Sequence, residues 1–406
     1  MLLKNCNVID VLSGNIRRNV SIRVDKNKIE SIEENPREAV SAIDLKGAYV
    51  LPGLINVHTH LSIFFPYNKL EPDESLAGVT MRSYGRAIDA LSSGVTTVRC
   101  TSEWHRIDIL LRSMIERGWV NGEGWSEQNG RRWIQGPRIV ASGRGISTTG
   151  GHGSGFGAVN ADGADEFRRA ARQELAAGAN HLKIFITGGI AKKSETYSEA
   201  QMSREEIETV ASVARSKGSY VCAHAGGSEQ IEQAARAGVT CFEHCYELDE
   251  GSAKAIREVN GFVVPTLSVT HSPAWMKEHS FEPWTIEKAV QSGEDHMKSI
   301  RNAVRAGTNI AMGTDIPPGD MNDGVNASVR EMELMTQIGM SNLDVVRAST
   351  IMPAKLCRID NLVGQLSEGM LADLIAIPRN PLEDIRNLRQ IPFVIKHGKI
   401  IRNDIQ

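Results

Sequence analysis

Two histidines separated by a single residue end the apolar run Leu51-Pro-Gly-Leu-Ile-Asn-Val-His-Thr-His60. If this run is a β-strand, its side chains alternate between two faces, so His58 and His60 point the same way and Thr59 points the other way. Two imidazoles on one face can bind one metal ion, although a His-X-His pair alone is a weak signal. The run is rich in Val, Ile and Leu, which is typical of a strand covered on both faces.

The middle of the chain, about 53–360, alternates apolar strand-like runs with amphipathic helical stretches. Helices are predicted at 167–177, 205–216 and 229–237, and Ser203-Arg-Glu-Glu206 fits a capping box. Repeated βα units over this length predict an α/β fold, a (β/α)8 TIM barrel. Its eight strands are the His58 strand and residues 95–99, 138–141, 181–186, 220–224, 239–244, 262–266 and 309–315.

Short strands separated by turns occupy both ends of the chain. Isolated hairpins are marginal in water, so we expect the two terminal sets to pack together as one small β-sandwich domain. The predicted domains are therefore a composite β-sandwich of residues 1–52 and 361–406 and a catalytic barrel of residues 53–360.

Polar residues able to bind metals lie at or near the carboxyl ends of the predicted barrel strands. Such ends converge on one mouth of a barrel, so residues remote in sequence can share a site. Four histidines and an aspartate suffice for two divalent ions with positions left open for water. Taken singly, each residue has an ordinary alternative as a core histidine, a rim lysine or a helix cap. The set is His58, His60, Lys183, His224, His244 and Asp315.

This set resembles the amidohydrolase superfamily, and specifically its binuclear branch with a carboxylated lysine. Within the superfamily, three stretches resemble the prolidase-like enzymes, which are Xaa-Pro dipeptidases and metal-dependent carboxypeptidases. The chain departs from their pattern at Ala223-His-Ala-Gly-Gly227, where Ala-His-Ala-His-Gly is frequent, and at Cys100, where Asp is frequent. The three stretches are Ser142-Gly-Arg-Gly-Ile-Ser-Thr-Thr-Gly-Gly-His-Gly153, Leu182-Lys-Ile-Phe-Ile-Thr-Gly-Gly189 and Ala223-His-Ala225.

The resemblance implies a pair of divalent metal ions, most simply zinc. One ion is held by His58, His60 and Asp315, and the other by His224 and His244. A CO2-derived carbamate on Lys183 (N6-carboxylysine) bridges the two ions, because a protonated ammonium beside two dications would be repelled while a carbamate is anionic. The implied reaction is hydrolysis of a C–N bond in a dipeptide or N-acyl amino acid.

The metal-bridging hydroxide is the nucleophile in this reaction, and Asp315 is its general base. His152 is predicted to hydrogen-bond the substrate carbonyl or its developing oxyanion, although its glycine-rich surroundings also fit a tight turn. Tyr246, His271 and Arg144 are further candidate substrate contacts, with solvated loop positions or a surface charge as the alternatives. Cys245 follows His244 but is expected on the opposite face of its strand.

The amino-acid composition limits which binding partners and which cellular compartment are expected for the protein. The 406 residues carry a net charge of −3 and an isoelectric point near 6.4, which gives no sign of a nucleic-acid partner. Six scattered cysteines without a C-x-x-C pair suit a reducing cytoplasm. No apolar run reaches membrane-spanning length. We therefore predict a cytoplasmic protein that acts on a small molecule, and the resemblance implies a homo-oligomer.

Two alternatives stay open at this point. A deaminase or cyclic-amide hydrolase could share the scaffold, but those enzymes resemble mononuclear sites without the strand-four lysine and usually carry His-x-x-Glu after strand five, where position 227 is Gly. The second alternative is a non-catalytic scaffold protein of the same fold. Metal content distinguishes the three hypotheses. Two ions per chain are expected for the binuclear amide hydrolase, one for the deaminase or cyclic-amide hydrolase, and none for the scaffold protein.

Overall fold

A computed structural model describes residues 1–34, 42–66, 74–120 and 135–405. Its strands are β1 Leu2–Ile9, β2 Ile16–Asp25, β3 Lys28–Glu33, β4 Ala42–Asp44, β5 Tyr49–Pro52, β6 Leu54–Thr59, β7 Val95–Cys100, β8 Arg138–Val140, β9 Ile146–Ser147, β10 Val159–Asn160, β11 Leu182–Phe185, β12 Val221–Gly227, β13 Cys241–Glu247, β14 Phe262–Val264, β15 Asn309–Ile310, β16 Met321–Asn322, β17 Val325–Asn326, β18 Leu374–Ile377, β19 Phe393–Lys396 and β20 Lys399–Asn403. Its helices are α1 Leu76–Ser92, α2 Ile107–Val120, α3 Gly163–Ala177, α4 Arg204–Ser216, α5 Ser228–Ala237, α6 Glu250–Glu258, α7 Pro273–Glu278, α8 Pro283–Arg305, α9 Ala327–Gln337, α10 Asn342–Ala348 and α11 Ile351–Leu356.

Eight parallel strands form the barrel, in the order β6, β7, β8, β11, β12, β13, β14, β15. Parallel ladders join β6 to β8 and β11 to β15. One seam closes where Val57 N–H donates to Met312 O (2.9 Å) and Asp315 N–H donates to His58 O (2.9 Å). At the other seam, Asn180 N–H donates to Ala141 O (2.7 Å). The predicted (β/α)8 barrel is confirmed.

Helices cover the outside of the barrel because their apolar faces match the outward side chains of the strands. In β11, Leu182 and Ile184 pack into the main core with the helices, while Lys183 and Phe185 face the barrel interior. Helix α4 begins at the predicted capping box, in which Ser203 and Glu206 bond to each other's backbone N–H. The observed α3, α4 and α5 extend the predicted helices only at their amino ends.

Strands from both ends of the chain pair in one eight-stranded sheet, in the order β20, β19, β18, β5, β1, β2, β3, with β4 beside β1. The sheet bends back on itself, since Ile29 N–H next to the β2–β3 turn donates to Met370 O (2.9 Å) just before β18. In β18, Leu374 and Ala376 pack into the core enclosed by the sheet, whereas Ile375 and Ile377 pack against the barrel. The sheet therefore contributes to two cores at once.

A buried ionic network joins this sheet to the barrel. The Asp373 carboxylate accepts hydrogen bonds from Lys396 Nζ of β19 (2.7 Å) and from Arg138 Nη1 of β8 (2.9 Å). Burial opposes ionisation of Asp373, but the two cations outweigh it and hold the pKa of the carboxyl well below its usual range. Burial, and then Arg138, lower the pKa of Lys396 to about 8 although Asp373 opposes the shift. The Asp373 carboxylate is thus the shared counter-charge of Lys396 and Arg138.

None of the helices in the described ranges combines the length and the apolar character needed to cross a membrane.

We predict that Asp373→Asn lowers the free energy of unfolding by about 3–5 kcal/mol at pH 7, because it leaves buried cations without a counter-charge. Urea unfolding followed by circular dichroism measures the change. The folded pKa of Asp373 lies below its unfolded value of about 3.9, so its contribution is present above that pH and lost as the pH falls. The difference between wild type and variant should therefore shrink below about pH 4.

The matched control is Asp404→Asn, which removes an exposed carboxylate beside Arg402 just after β20. Exposed ion pairs contribute about 0–1 kcal/mol. Equal effects of the two substitutions would contradict the role assigned to the buried network.

Candidate metal centre

The six predicted ligands all line one cavity inside the mouth of the barrel, together with His152 and Tyr246. The rings of His224 and His244 lie 4.5 Å apart between centroids, and those of His58 and His244 lie 4.9 Å apart. Residues that are far apart in sequence are thus brought together at the strand ends. The roles assigned to them as ligands stay predictions.

Asp315 lies between the two histidines of the His-X-His pair. Its Oδ1 is 3.3 Å from His58 Nε2 and 3.1 Å from His60 Nε2. Burial opposes ionisation of this carboxyl, but the two imidazoles outweigh it and hold the pKa of Asp315 well below its usual range. His58, His244 and Asp315 each offer a ligand atom within 4.8 Å of the others. Within the described part of the chain, this group of three has the spacing of a cation site.

The far sides of the histidine rings are anchored by hydrogen-bond acceptors. His58 Nδ1–H donates to Glu243 Oε2 (2.6 Å), and His60 Nδ1–H donates to the carbonyl oxygen of Ser102 (2.9 Å). His244 Nδ1 is hydrogen-bonded to Thr266 Oγ1 (2.7 Å). Bonds of this kind fix the tautomer and the orientation of a metal-binding histidine. In His58, His60 and His244, Nε2 is therefore the ring nitrogen available to the cavity.

His224 differs from these three histidines because its hydrogen bond to the protein is made by Nε2 and not by Nδ1. Its Nε2–H donates to Gly188 O (3.2 Å), which leaves Nδ1 as the nitrogen without a bond to the backbone. Burial, and then the neighbouring His152, hold the pKa of His224 well below its usual range, so the ring is neutral. Burial, and then His224, do the same for the pKa of His244. A neutral imidazole is the form that binds a metal.

His152 stacks on His224 with ring centroids 4.2 Å apart and planes inclined by 23°. Its Nδ1–H donates to Glu195 Oε2 (2.5 Å), so Nε2 is free to point elsewhere in the cavity. Gly189 packs against both rings, since a Cβ there would come within 2.8 Å of His152 Nε2 and of His224 Nε2. The predicted oxyanion partner is thus held on one edge and stacked on one face.

Lys183 is 1% exposed, and its Nζ has no hydrogen-bond partner in the described part of the chain. Its ammonium lies 5.2 Å from the centroid of the Phe185 ring. An unpaired polar group at this depth is costly, so it requires a partner that the protein side chains do not supply.

Two of the predicted ligands have a backbone conformation that L-residues rarely adopt. His244 has φ 69°, its neighbour Cys245 has φ 56°, and Asp315 has φ 56°. In β13 this rotation lets Glu243 and His244, which are adjacent, both face the interior, while Cys245 turns to the outer core as predicted. Strain of this kind is often found where function holds a side chain in place.

The predicted substrate contacts divide into two groups. His152 and Tyr246 line the cavity, and the Tyr246 ring stacks on His244 at 5.4 Å. Arg144 and His271 are not among its lining residues. The Arg144 guanidinium pairs with Glu174 (2.9 Å), and His271 Nδ1–H donates to Leu267 O (3.1 Å). The structure thus gives both of them structural partners, and their contact with substrate stays a prediction.

Glu243 and Arg99 were missed in the sequence. Arg99 is fully buried within the barrel and donates from Nη2 to Glu243 Oε1 (2.6 Å). Burial opposes ionisation of Glu243, but Arg99 and then His58 outweigh it and lower the pKa of its carboxyl. The sequence did contain a signal for this buried pair. Arg99 ends the apolar run Val95-Thr-Thr-Val-Arg99, and Glu243 ends the apolar run Cys241-Phe-Glu243, so one residue of each charge lies in a predicted buried strand.

The residues present fit divalent cations. The cavity combines neutral imidazoles, an ionised carboxylate and a buried amine without a partner. Nitrogen-rich ligand sets of this kind suit zinc and other first-row divalent metals.

Comparison with known proteins agrees with this geometry. The ochratoxinase of Aspergillus niger is 30% identical over 298 residues, which are 66% of this chain and 61% of that enzyme. The chain thus spans less than two thirds of the length of that relative. A solved Xaa-Pro dipeptidase with bound methionine in its active site is 30% identical, covers 99% of both chains and has a TM-score of 0.87.

A solved prolidase in complex with N-methylphosphonate-L-proline is 26% identical, covers 99% of both chains and has a TM-score of 0.88. The sequence profile of the amidohydrolase family matches residues 49–401, which comprise the barrel together with β5, β18, β19 and part of β20 of the terminal sheet. On this match, the chain belongs to the amidohydrolase family.

Proposed function

We propose that this protein is a metal-dependent hydrolase that cleaves the C–N bond of a small amide, namely a dipeptide or an N-acyl amino acid. One observation carries the proposal: four histidines, an aspartate and an unpartnered buried lysine line a single cavity. The similarity to a Xaa-Pro dipeptidase and a prolidase supports an amide as the substrate. The six buried cysteines, none of them in a disulfide, support the predicted cytoplasmic location.

We assign two divalent ions to this cavity and expect them to be zinc. His58, His60 and Asp315 would hold one ion, His224 and His244 the other, and Lys183 as a carbamate would contribute to both. Such ions supply a lowered pKa for bound water and a polarised scissile carbonyl. The carbamate accounts for Lys183, because adding CO2 converts an unpaired buried amine into an anion among neutral imidazoles.

Asp315 is the proposed general base. Its low pKa keeps it ionised near neutral pH, and its carboxylate lies within 3.3 Å of the Nε2 atoms of both histidines of the pair. It would accept a proton from the attacking water and pass that proton to the leaving amine. The left-handed backbone at Asp315 holds the carboxylate over the cavity during both steps.

His152 is the proposed partner of the substrate carbonyl. Glu195 accepts from Nδ1–H, which fixes the orientation of the ring, and His152 in turn lowers the pKa of Glu195 although burial opposes ionisation of that carboxyl. His152 Nε2 would then donate to the carbonyl oxygen as negative charge develops on it. A donor oriented in advance is worth most in a cavity that excludes water.

Hydrolysis of a library of dipeptides and N-acyl amino acids by zinc-loaded protein tests the proposal directly. Released amino acid is measured, and metal content is determined in the same samples. Turnover of library members with about two ions per chain is the expected result. If only a cyclic amide or an aromatic amine is converted, or if no metal binds, the proposed function is wrong.

We predict that Lys183→Ala binds less than two ions per chain and loses turnover, because the bridging anion is gone. Elemental analysis after extensive dialysis measures the metal. A small carboxylate such as propionate, supplied in the buffer, should partly restore both properties by filling the vacated space. Lys193→Ala, at an exposed position in the loop after β11, is the control. Full metal content in Lys183→Ala would refute the carbamate.

We predict that Asp315→Asn lowers kcat by about 10²–10⁴-fold, since the amide cannot accept the proton. Steady-state kinetics with the best library substrate measures the loss, and circular dichroism verifies the fold. Asp323→Asn, at an exposed turn, should retain the wild-type rate. A near-normal rate for Asp315→Asn would remove it from the mechanism.

We predict that Glu243→Gln weakens metal binding by about 10–100-fold, because the Nδ1–H of His58 loses its ionised acceptor. Competition with a chromophoric chelator measures the affinity. Glu174→Gln is the matched control, since Glu174 is also fully buried and paired with arginines but touches no histidine of the cavity. Equal metal affinities in the two variants would contradict the assignment.

A further inference from the structure

We propose that one wall of the cavity binds a large apolar side chain of the substrate. The preferred substrates would then be amides in which a residue next to the scissile bond is aromatic or branched aliphatic. The inference rests on the proposed function, because it names the substrate class of that same site.

The wall is a continuous apolar cluster that does not contain the predicted ligands. Trp275 and Met276 come from the short helix α7, Phe281 from the segment after it, Ile190 from the loop after β11 and Ile316 from the position after Asp315. All five line the cavity, and each is at most 7% exposed. Surface of this type gains free energy only when an apolar group covers it.

Charge is confined to the metal end of the cavity. Among its described lining residues, Lys183 and Asp315 are the only lysine, arginine or acidic side chains, and both belong to the predicted ligand set. An ionised substrate side chain placed against Trp275 and Met276 would lose its hydration without gaining a counter-charge from these residues. The wall therefore disfavours acidic and basic side chains.

The wall is already packed before any substrate binds. Trp275 lies 5.3 Å from the Phe65 ring and 5.6 Å from the Phe281 ring, both between centroids, and it stacks on His279 at 4.1 Å. Asn322 Nδ2 donates to Ser272 Oγ (2.6 Å), which fixes the residue that precedes α7. Little side-chain entropy remains to be lost on binding, so most of the burial energy is available for discrimination between substrates.

The size of the expected preference follows from the free energy of burying one apolar side chain. Burying one Phe or Leu side chain gains about 1.5–3 kcal/mol over leaving it in water. This gain corresponds to about 10- to 100-fold in kcat/KM over a glycine substrate.

The first test uses the full-length protein loaded with zinc and matched N-acyl amino acids and dipeptides that differ at one position. The variable residue is Phe, Leu, Gly, Asp or Lys, placed in turn on each side of the scissile bond. On one of the two sides, kcat/KM for Phe and Leu should exceed that for Gly by about 10- to 100-fold. Asp and Lys should rank below Phe and Leu on that side.

Equal or faster hydrolysis of the Gly, Asp or Lys compounds would overturn the inference and leave the proposed function standing. Absence of turnover for every amide would instead overturn the proposed function, and the inference with it.

The second test compares Met276→Glu with Met276→Gln, which have nearly the same shape and differ in charge. The ratio of kcat/KM for the Lys compound to that for the Phe compound should be at least about 10-fold higher in the Glu variant, mainly through KM. Metal content and thermal midpoint are measured for both proteins to verify that they are folded. The same ratio in both variants would exclude Met276 from the substrate contact. If the Glu variant does not fold, the substrate series on the wild type decides alone.

Discussion

Charged groups buried in the barrel interior are stable only with partners, and the ion pair between Arg99 and Glu243 meets this requirement beneath the cavity. Arg99 donates to Val57 O and to Glu243 Oε1, and the other oxygen of Glu243 accepts from His58. His58 of the candidate metal centre is thus connected to the backbone of its own strand through the Glu243 carboxylate and the Arg99 guanidinium. Because all of these groups are buried, the arrangement is stable only as a complete set.

The same requirement divides the cavity into two halves. The half at the strand ends contains the charged side chains of the described lining, Lys183 and Asp315. The half at α7 is lined by apolar side chains such as Met276 and Phe281. A substrate amide that spans both halves would have its reacting bond held electrostatically and its side chain held by apolar contact.

Sequence patterns predicted most of the fold and placed the ligand candidates correctly at the mouth of the barrel. Alternation along a strand was sufficient for Lys183 and His224, because β11 and the start of β12 are regular. It could not predict that the adjacent Glu243 and His244 both face inward, since that depends on a left-handed backbone at a residue other than glycine.

Partners that are distant in sequence were also beyond prediction. Arg99 and Glu243 are 144 positions apart, and nothing local to either residue identifies the other. The pairing of Arg144 with Glu174 likewise depends on how α3 packs against the barrel. The division into domains and the ligand roles of the six residues stay predictions. By contrast, the helix start at Ser203 was predictable because its capping box lies within four consecutive residues.

The pairing of β5 with β18 has a consequence for biosynthesis. Tyr49 in β5 pairs with Ile377 in β18, so β5 lacks this neighbour until more than three hundred further residues have been translated. Over that interval the β5 edge exposes unpaired backbone groups, which favour association with other nascent chains. Completion of the terminal sheet therefore follows translation of β18, and until then association between chains competes with the native pairing of β5.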